Sequence, residues 1–283
     1  MTTDEAGRLM KAVVIHEAGG PEALKIEDRP IPVARTGWVL VRVKAFGINR
    51  SEMFTRQGLS PDVRFPRILG IEAVGVVESA PGGEFAPGTT VATVMGGMGR
   101  DFDGGYAQYL IVPANQVKAL KTTLPWATLG ALPEMLQTAW GSLYEALQLK
   151  SGDTLLIRGG TTSVGLAAAA IASHRGATVY STTRKPDREA LLRSSGASDV
   201  FIDDGEIAAE VRSGVIPTAV YLTTYDGGVA EFMSMPLQEL LDQVSAGQLR
   251  VQIGKVFVID EIVEAHKLLD SNAAGGKIVV LTD

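Results

Sequence analysis

The sequence of 283 residues contains no cysteine. This absence excludes disulfide bonds, thiolate nucleophiles and cysteine-ligated zinc together. The three histidines, His16, His174 and His266, lie far apart and lack the spacing of metal ligands, so no metal site is predicted. All three are expected at the surface or within helices.

Clusters of positive charge and long apolar runs are also missing. The formal net charge is −6 and no cluster of lysine and arginine is present, which disfavours a nucleic-acid partner. No apolar run reaches the roughly 18 residues that a membrane-spanning helix needs. Residues 1–9 are polar and contain two acidic side chains, unlike a secretion signal. We therefore predict a cytoplasmic protein with a small-molecule partner and no membrane contact.

One segment, residues 153–174, has the pattern of a buried strand, a glycine-rich turn and an alanine-rich helix. Such a turn binds the phosphates of a dinucleotide through backbone N–H groups at the helix N-terminus. Thr162 replaces the middle glycine of the common fingerprint, and hydroxyl groups are expected to substitute as donors. A tight strand-to-helix turn without a ligand is the alternative. The predicted phosphate contacts are Gly160, Thr162, Ser163, Val164 and Gly165.

A second apolar strand, residues 178–182, leads into Thr183, Arg184 and Lys185. NAD-binding proteins place an acidic residue here for the ribose 2′-hydroxyl, whereas cations favour the 2′-phosphate of NADPH. We therefore predict NADPH as the cofactor, bound in part by these three residues. A solvated basic turn is the alternative interpretation.

The pattern of the chain changes near residue 129, which predicts two domains. Residues 10–125 contain short apolar strands separated by glycine and proline, typical of a mostly antiparallel β domain. Later residues alternate helix and strand, which indicates a parallel sheet with helices on both faces. The predicted fold class is α/β, with a first domain at 1–128 and a doubly wound domain at 129–250. Among the predicted elements are strands at 38–48, 106–112, 199–202, 219–225 and 277–281, and helices at 132–149, 163–174, 186–195, 206–212, 236–246 and 260–269.

Several motifs resemble those of the medium-chain dehydrogenase/reductase superfamily, and within it the zinc-independent quinone oxidoreductases. Gly47-Ile48-Asn49-Arg50-Ser51-Glu52 resembles the Gly-x-Asn-x-x-acid motif of that group. Gly70-Ile71-Glu72 is similar to the Gly-x-Glu element, with Ile71 where zinc-binding members have a histidine ligand. Further similar segments are 10–14, 19–24, 103–109, 257–269 and 276–279.

The resemblance implies a GroES-like β domain, completed by residues 251–283, and a Rossmann nucleotide-binding domain. It implies a homodimer that transfers hydride from NADPH to a quinone or an α,β-unsaturated carbonyl compound, without zinc. Asn49 is expected to orient the substrate oxygen or the nicotinamide, and Thr138 and Lys277 to contact the cofactor. Phe54 stands where many relatives carry a tyrosine, so the proton donor is unassigned. An enoyl-thioester reductase and a catalytically silent NADPH-binding protein are the alternatives.

The residues around Asn49 also have simpler interpretations. Asn49 itself could be an ordinary turn residue before a helix. Glu52 is expected to cap that helix or to pair with Arg50 or Arg56, and Glu72 is expected to be structural in the absence of metal.

The segment between residues 206 and 219 is shorter than the family pattern. Members normally have two further parallel strands there, and a βαβ unit takes 30 residues or more, so about 50 residues are missing by comparison. Two explanations stay open: residues left out at the Gly214–Val215 junction, or a deletion, natural or deliberate. The strand at 219–225 is the predicted edge for pairing in the dimer.

Overall fold

The structure is a computed structural model that describes residues 7–205 and 225–283. The chain forms two compact units, which are interleaved in sequence. The first comprises Met1–Glu134, Gly228–Met233 and Ile253–Asp283, and the second comprises Met135–Gly227 and Ser234–Gln252.

Strands make up most of the first unit, and strands alternate with helices in the second. The strands are β1 (Leu9–Ile15), β2 (Leu24–Pro30), β3 (Trp38–Ile48), β4 (Arg67–Ile68), β5 (Glu72–Ser79), β6 (Thr90–Val94), β7 (Tyr109–Pro113), β8 (Val117–Ala119), β9 (Thr154–Ile157), β10 (Thr178–Thr183), β11 (Asp199–Ile202), β12 (Ile253–Val258) and β13 (Lys277–Leu281). The α-helices are α1 (Arg50–Arg56), α2 (Trp126–Leu129), α3 (Pro133–Trp140), α4 (Ser163–His174), α5 (Glu189–Ser194), α6 (Val229–Ser234), α7 (Leu237–Ser245) and α8 (Ile262–Asp270).

The first unit is built on a seven-stranded sheet in the order β12-β13-β3-β5-β6-β8, with β7 also paired to β3. Only the pair β12–β13 is parallel in this sheet as described. A second sheet, β2-β1-β4, is antiparallel throughout. The predicted mostly antiparallel β domain is therefore confirmed.

The central strand β3 anchors the core of the first unit. It pairs with β5, β7 and β13, and its side chains Val39, Val41, Val43 and Phe46 are buried in the hydrophobic core of this unit. Each such buried side chain stabilises the fold by roughly 1.5–3 kcal/mol relative to an exposed one. The site described below lies at the carboxyl end of this strand.

The second unit contains a parallel sheet in the order β11-β10-β9, with α4 packed against β9 and β10. The buried side of α4 consists largely of alanine over residues 166–172. Because alanine extends no further than Cβ, the helix lies close to the sheet. This alternation of parallel strand and helix confirms the predicted Rossmann-like arrangement and the α/β fold class.

Two predicted elements differ from the structure. The helix predicted over 132–149 ends as α3 at Trp140 and continues as a π-helix, Gly141–Ala146. The strand predicted over 106–112 begins at Tyr109, because Tyr106 instead forms backbone hydrogen bonds with Leu69 and Val13. The predicted helix at 206–212, residues 219–224 of the predicted dimer-edge strand, and the Gly214–Val215 junction lie outside the described residues.

His266 lies within a helix, α8, which confirms one of its two expected placements. Its side chain is fully buried because it follows Ile262 and Ala265 at helical spacing on the core side. Its Nε2 lies 3.2 Å from the hydroxyl oxygen of Tyr106. Burial lowers the pKa of His266 to about 3, with the Arg56 guanidinium acting in the same direction, so the ring is neutral.

Across residues 7–205 and 225–283, every helix is too short or too polar to cross a lipid bilayer.

Candidate functional site

The predicted site residues fall into two groups, one in each unit. The second unit holds the glycine turn, the end of β10 and Thr138, which is half-buried on α3. The first unit holds Asn49 and Lys277. Each group forms its own set of contacts.

The glycine turn connects β9 to α4 with a close approach between backbone atoms. A Cβ atom on Gly165 would lie 2.8 Å from the carbonyl oxygen of Gly159 and 3.0 Å from Cα of Gly160. Glycine is therefore required if the first turn of α4 is to pack on the preceding loop. The N–H groups of Ser163 and Val164 lie in that first turn, where they have no acceptor within the helix. Such N–H groups, with the helix dipole, favour a bound anion.

Thr162 is the N-cap of α4. Its Oγ1 accepts a hydrogen bond from the Gly165 N–H at 3.0 Å and donates to the carbonyl oxygen of Gly159 at 3.0 Å. A hydroxyl has a single proton. Because the Thr162 hydroxyl donates its proton to the carbonyl oxygen of Gly159, that proton is not directed towards a ligand.

The end of β10 lies beside the glycine turn. The N–H groups of Gly159 and Gly160 donate to Oγ1 and the carbonyl oxygen of Thr182, at 3.2 and 3.0 Å. Buried Thr183 then accepts the Lys185 N–H at 3.1 Å, which closes a turn. Arg184 and Lys185 are exposed on that turn, and within the part of the chain that the structure describes neither side chain forms an ion pair. Two cations are thus available next to the glycine turn.

In the first unit, the register of the sheet brings Asn49 and Lys277 together. β13 pairs antiparallel with β3, with Ile278 opposite Ile48, so the residues next to this pair are adjacent at the strand ends. On the other side of β3, β5 begins at Glu72. The three side chains therefore converge at one end of the sheet.

With Glu52 and Glu134 they form a buried polar group, which we call the Lys277 cluster. Lys277 Nζ donates to Asn49 Oδ1. It also lies 2.8 Å from Glu72 Oε1 and 3.2 Å from Glu134 Oε2. Glu72 Oε1 accepts from Asn49 Nδ2 at 3.0 Å, and its Oε2 accepts from the Glu134 N–H at 3.0 Å. Each oxygen of Glu72 is thus hydrogen-bonded, as a buried carboxylate requires.

Glu52 caps α1, which was one of its two predicted roles. Its Oε2 accepts the N–H of Asn49 and its Oε1 accepts the N–H of Ile71, both at 3.1 Å. The alternative role, pairing with Arg50 or Arg56, is wrong, because both guanidinium groups contact other side chains. The buried position of Glu52 explains the difference, since the N-cap geometry turns its carboxyl group inwards.

Proton uptake by Glu52 reduces the excess negative charge within the Lys277 cluster. Burial raises the pKa of Glu52 to about 8, against the opposing hydrogen bond from Ile71, and the Glu72 carboxylate adds to the rise. Burial alone would lower the pKa of Lys277, but the carboxylates of Glu72 and Glu134 outweigh it and raise the pKa above its usual value. At neutral pH the cluster therefore contains a protonated Glu52 and a charged Lys277.

Gly47 makes room for this cluster. A Cβ atom on Gly47 would collide with Oε1 of Glu72 and Cε of Lys277. Both side chains are buried and held by hydrogen bonds, so neither can move aside. The glycine of the Gly47-to-Glu52 motif is thus explained by the space that the cluster occupies.

Comparison with known proteins supports the resemblance. Residues 35–122 match the family model described as the alcohol dehydrogenase GroES-like domain, and residues 150–280 match the one described as zinc-binding dehydrogenase. The quinone oxidoreductase of Sus scrofa is 27% identical over an alignment that covers 97% of this chain and 98% of the relative. The chain belongs to the medium-chain dehydrogenase/reductase superfamily, in its quinone oxidoreductase-like group.

Other superfamily members are more similar over a shorter region. The quinone oxidoreductase of Homo sapiens is 31% identical over 198 residues, which are 69% of this chain and 59% of the relative. The match therefore spans less than two thirds of that relative. The alignment with the Sus scrofa protein extends over 330 positions, more than the 283 residues of this chain, so part of that relative has no counterpart here.

Solved structures of the superfamily share the fold. The quinone oxidoreductase of Coxiella burnetii superposes with a TM-score of 0.81 at 23% identity, covering 98% of this chain and all of that one. A structure described as an NAD-dependent alcohol dehydrogenase gives a TM-score of 0.84 at 24% identity, with 97% of this chain and all of that one covered.

Within the part of the chain that the structure describes, no grouping of side chains has the ligands of a zinc site. Zinc in proteins takes Cys, His, Asp or Glu ligands, usually with at least three from the chain. Ile71 carries no donor atom, and within residues 7–205 and 225–283 no three His, Cys, Asp or Glu side chains are grouped as metal ligands. The carboxylates of the Lys277 cluster are directed at an ammonium group instead.

Glu134 was missed by the sequence prediction. It follows Pro133 in the first turn of α3, a position where an acidic residue has an ordinary explanation as a partner of the helix dipole. Its role in the Lys277 cluster depends on the fold, because its partners Glu72 and Lys277 lie 62 and 143 residues away in sequence.

Proposed function

We propose that the protein is an NADPH-dependent oxidoreductase that reduces a quinone or the β-carbon of an α,β-unsaturated carbonyl compound without zinc. When bound, the cofactor supplies the hydride. The residues of the chain bind the dinucleotide, orient the two reactants and exclude water.

The observation that carries this proposal is the position of Arg184 and Lys185. Both are exposed, both follow the strand whose end is hydrogen-bonded to the glycine turn, and neither is paired with a described carboxylate. A 2′-phosphate carries two negative charges more than a hydroxyl, and charge-assisted hydrogen bonds to it favour NADPH over NADH. Thr183 supports the turn through its hydrogen bonds with the backbone of Lys185.

The relatives support the same function. Several relatives that the chain resembles are described as quinone oxidoreductases. A mycobacterial protein of the same fold, with a TM-score of 0.83 and 22% identity, was solved in complex with NADPH. The homodimer expected from the family stays a prediction.

Replacing both cations should remove the preference for NADPH. In the Arg184→Ala/Lys185→Ala variant we expect the Kd for NADPH to rise about 100-fold or more, because the two charge-assisted hydrogen bonds contribute about 1.5–3 kcal/mol each. The Kd for NADH should change less than twofold. Calorimetric titration of both cofactors checks this. Arg250→Ala removes an exposed arginine of the same unit and should change neither affinity; an equal loss for both cofactors in the double variant would contradict the proposal.

Turnover tests the chemistry separately. Oxidation of NADPH, followed at 340 nm, is expected with 1,4-benzoquinone, 9,10-phenanthrenequinone or a simple enone, and added chelator should leave the rate unchanged. Tight NADPH binding without turnover of any acceptor would favour a silent NADPH-binding protein. Turnover confined to enoyl thioesters would favour an enoyl-thioester reductase.

A further inference from the structure

The side-chain amide of Asn49 is fixed in one orientation by the Lys277 cluster. A lysine ammonium only donates hydrogen bonds and an ionised carboxylate only accepts them. The atom that faces Lys277 must therefore be Oδ1, and the atom 3.0 Å from Glu72 Oε1 must be Nδ2. The reverse orientation would place donor against donor and acceptor against acceptor.

This orientation leaves Asn49 with an acceptor and no free donor. Nδ2 has two protons, one directed at Glu72 and the other at Glu52 Oε1, 3.4 Å away. Oδ1 has two lone pairs, and Lys277 occupies one of them. Asn49 is 8% exposed, so its side chain still reaches the surface of the buried cluster. A ligand that meets Asn49 finds an oxygen atom with one free lone pair.

Lys277 is itself fully engaged. Its ammonium has three protons and three acceptors, namely Asn49 Oδ1, Glu72 Oε1 and Glu134 Oε2. The side chain is 1% exposed. No proton is left for a cofactor phosphate, which corrects the expectation that Lys277 contacts the cofactor directly.

We propose that Lys277 is a positioning residue: held by Glu72 and Glu134, its ammonium fixes Asn49 as a hydrogen-bond acceptor for the carboxamide N–H₂ of the nicotinamide. The proposal rests on the proposed function, in which Asn49 meets the reactants. It also decides between the two roles expected for Asn49. A quinone or enone oxygen is an acceptor and gains nothing from Oδ1, whereas the carboxamide offers two N–H donors.

A cofactor analogue isolates this hydrogen bond. In 3-acetylpyridine adenine dinucleotide phosphate an acetyl group replaces the carboxamide, so the carbonyl remains and the N–H₂ is lost. We expect the wild-type chain to bind NADP⁺ about three- to tenfold more tightly than the analogue, as one hydrogen bond allows. The Kd ratio should fall to near one in Asn49→Ala, in Lys277→Met and in the double variant, because all three lose the same interaction.

Controls separate this role from general damage. Lys11→Met removes a lysine of the same unit whose Nζ pairs with Asp260 at the surface, and it should retain the wild-type ratio. If Lys277→Met fails to fold, the Lys277→Met/Glu72→Gln variant removes both charges of the buried pair and keeps the volume, and it should also lose discrimination. A melting curve for each variant establishes that it is folded.

The outcomes distinguish the two proposals. Loss of discrimination in both single variants, with no further loss in the double variant, supports the positioning role. Discrimination retained in the folded lysine variants, or a wild-type ratio near one, overturns it while leaving NADPH use intact. If the wild-type chain binds neither NADP⁺ nor NAD⁺, the proposed function fails first.

Discussion

Replacing Arg56 by methionine is expected to lower the free energy of unfolding by about 2–4 kcal/mol, because it removes the hydrogen bonds that a buried guanidinium makes to a partly exposed carboxylate and to a backbone carbonyl. The Arg56 side chain is fully buried. Its Nη2 lies 2.7 Å from both carboxylate oxygens of Asp270, and its Nη1 donates to the carbonyl oxygen of Gly19 at 2.8 Å. The substitution removes all three hydrogen bonds, and with them the ion pair between α1 and α8.

Urea unfolding followed by circular dichroism measures this loss. The matched control is Arg193→Met, which removes an exposed arginine that pairs with Glu189 and Asp199 at the surface. The control should change stability little, since solvent and salt screen such pairs. If the two substitutions lowered the free energy of unfolding equally, burial of Arg56 would not explain its contribution to stability.

Replacing Glu52 by glutamine is expected to flatten the dependence of stability on pH between about pH 5 and 8. Burial raises the pKa of Glu52 to about 8 in the folded chain, from 4.5 for the exposed group. Between these values the folded state binds a proton that the unfolded state does not. The free energy of unfolding therefore falls as pH rises through this window, by about 3–5 kcal/mol in the limit.

The Glu52→Gln variant carries no proton equilibrium at this position and should lose that slope. Urea titrations at pH 5, 6.5 and 8 give the difference in stability between the variant and the wild-type chain, which should shift in favour of the variant as pH rises. Glu17→Gln, at an exposed position, serves as the control and should leave the slope unchanged. If the free energy of unfolding changed with pH in the same way in the wild-type chain and in the Glu52 variant, the pKa of Glu52 would be the same in the folded and unfolded states.

The sequence predicts the regular elements well where one strong pattern covers the whole element. The bounds expected for β3, α4 and β13 are those of the structure, because each is a largely apolar or alanine-rich segment between clear turns. The end of α3 could not be predicted, since the apolar periodicity continues through the π-helix. The periodicity of apolar residues shows which side of a helix is buried. It does not show whether the backbone hydrogen bonds follow the α-helical or the π-helical pattern.

The candidate site was predicted residue by residue, but not as a set of contacts. Asn49 and the glycine turn are local motifs and could be found in the sequence. The pairing of Lys277 with Glu72 depends on the register of β13 and β5 on either side of β3, which no local pattern determines. The burial of His266 had a readable signal, because it lies at helical spacing with Ile262 and Ala265.

The pairing of β13 with β3 has a consequence for how the chain acquires its structure. A ribosome completes β3 and β5 more than 190 residues before it reaches Lys277. Until then the β3 edge is open and the carboxylates of Glu72 and Glu134 lack their cation. The pairing of β13 with β3 at the centre of the sheet therefore forms only after the second unit has been synthesised. For most of translation the nascent chain exposes an incomplete sheet.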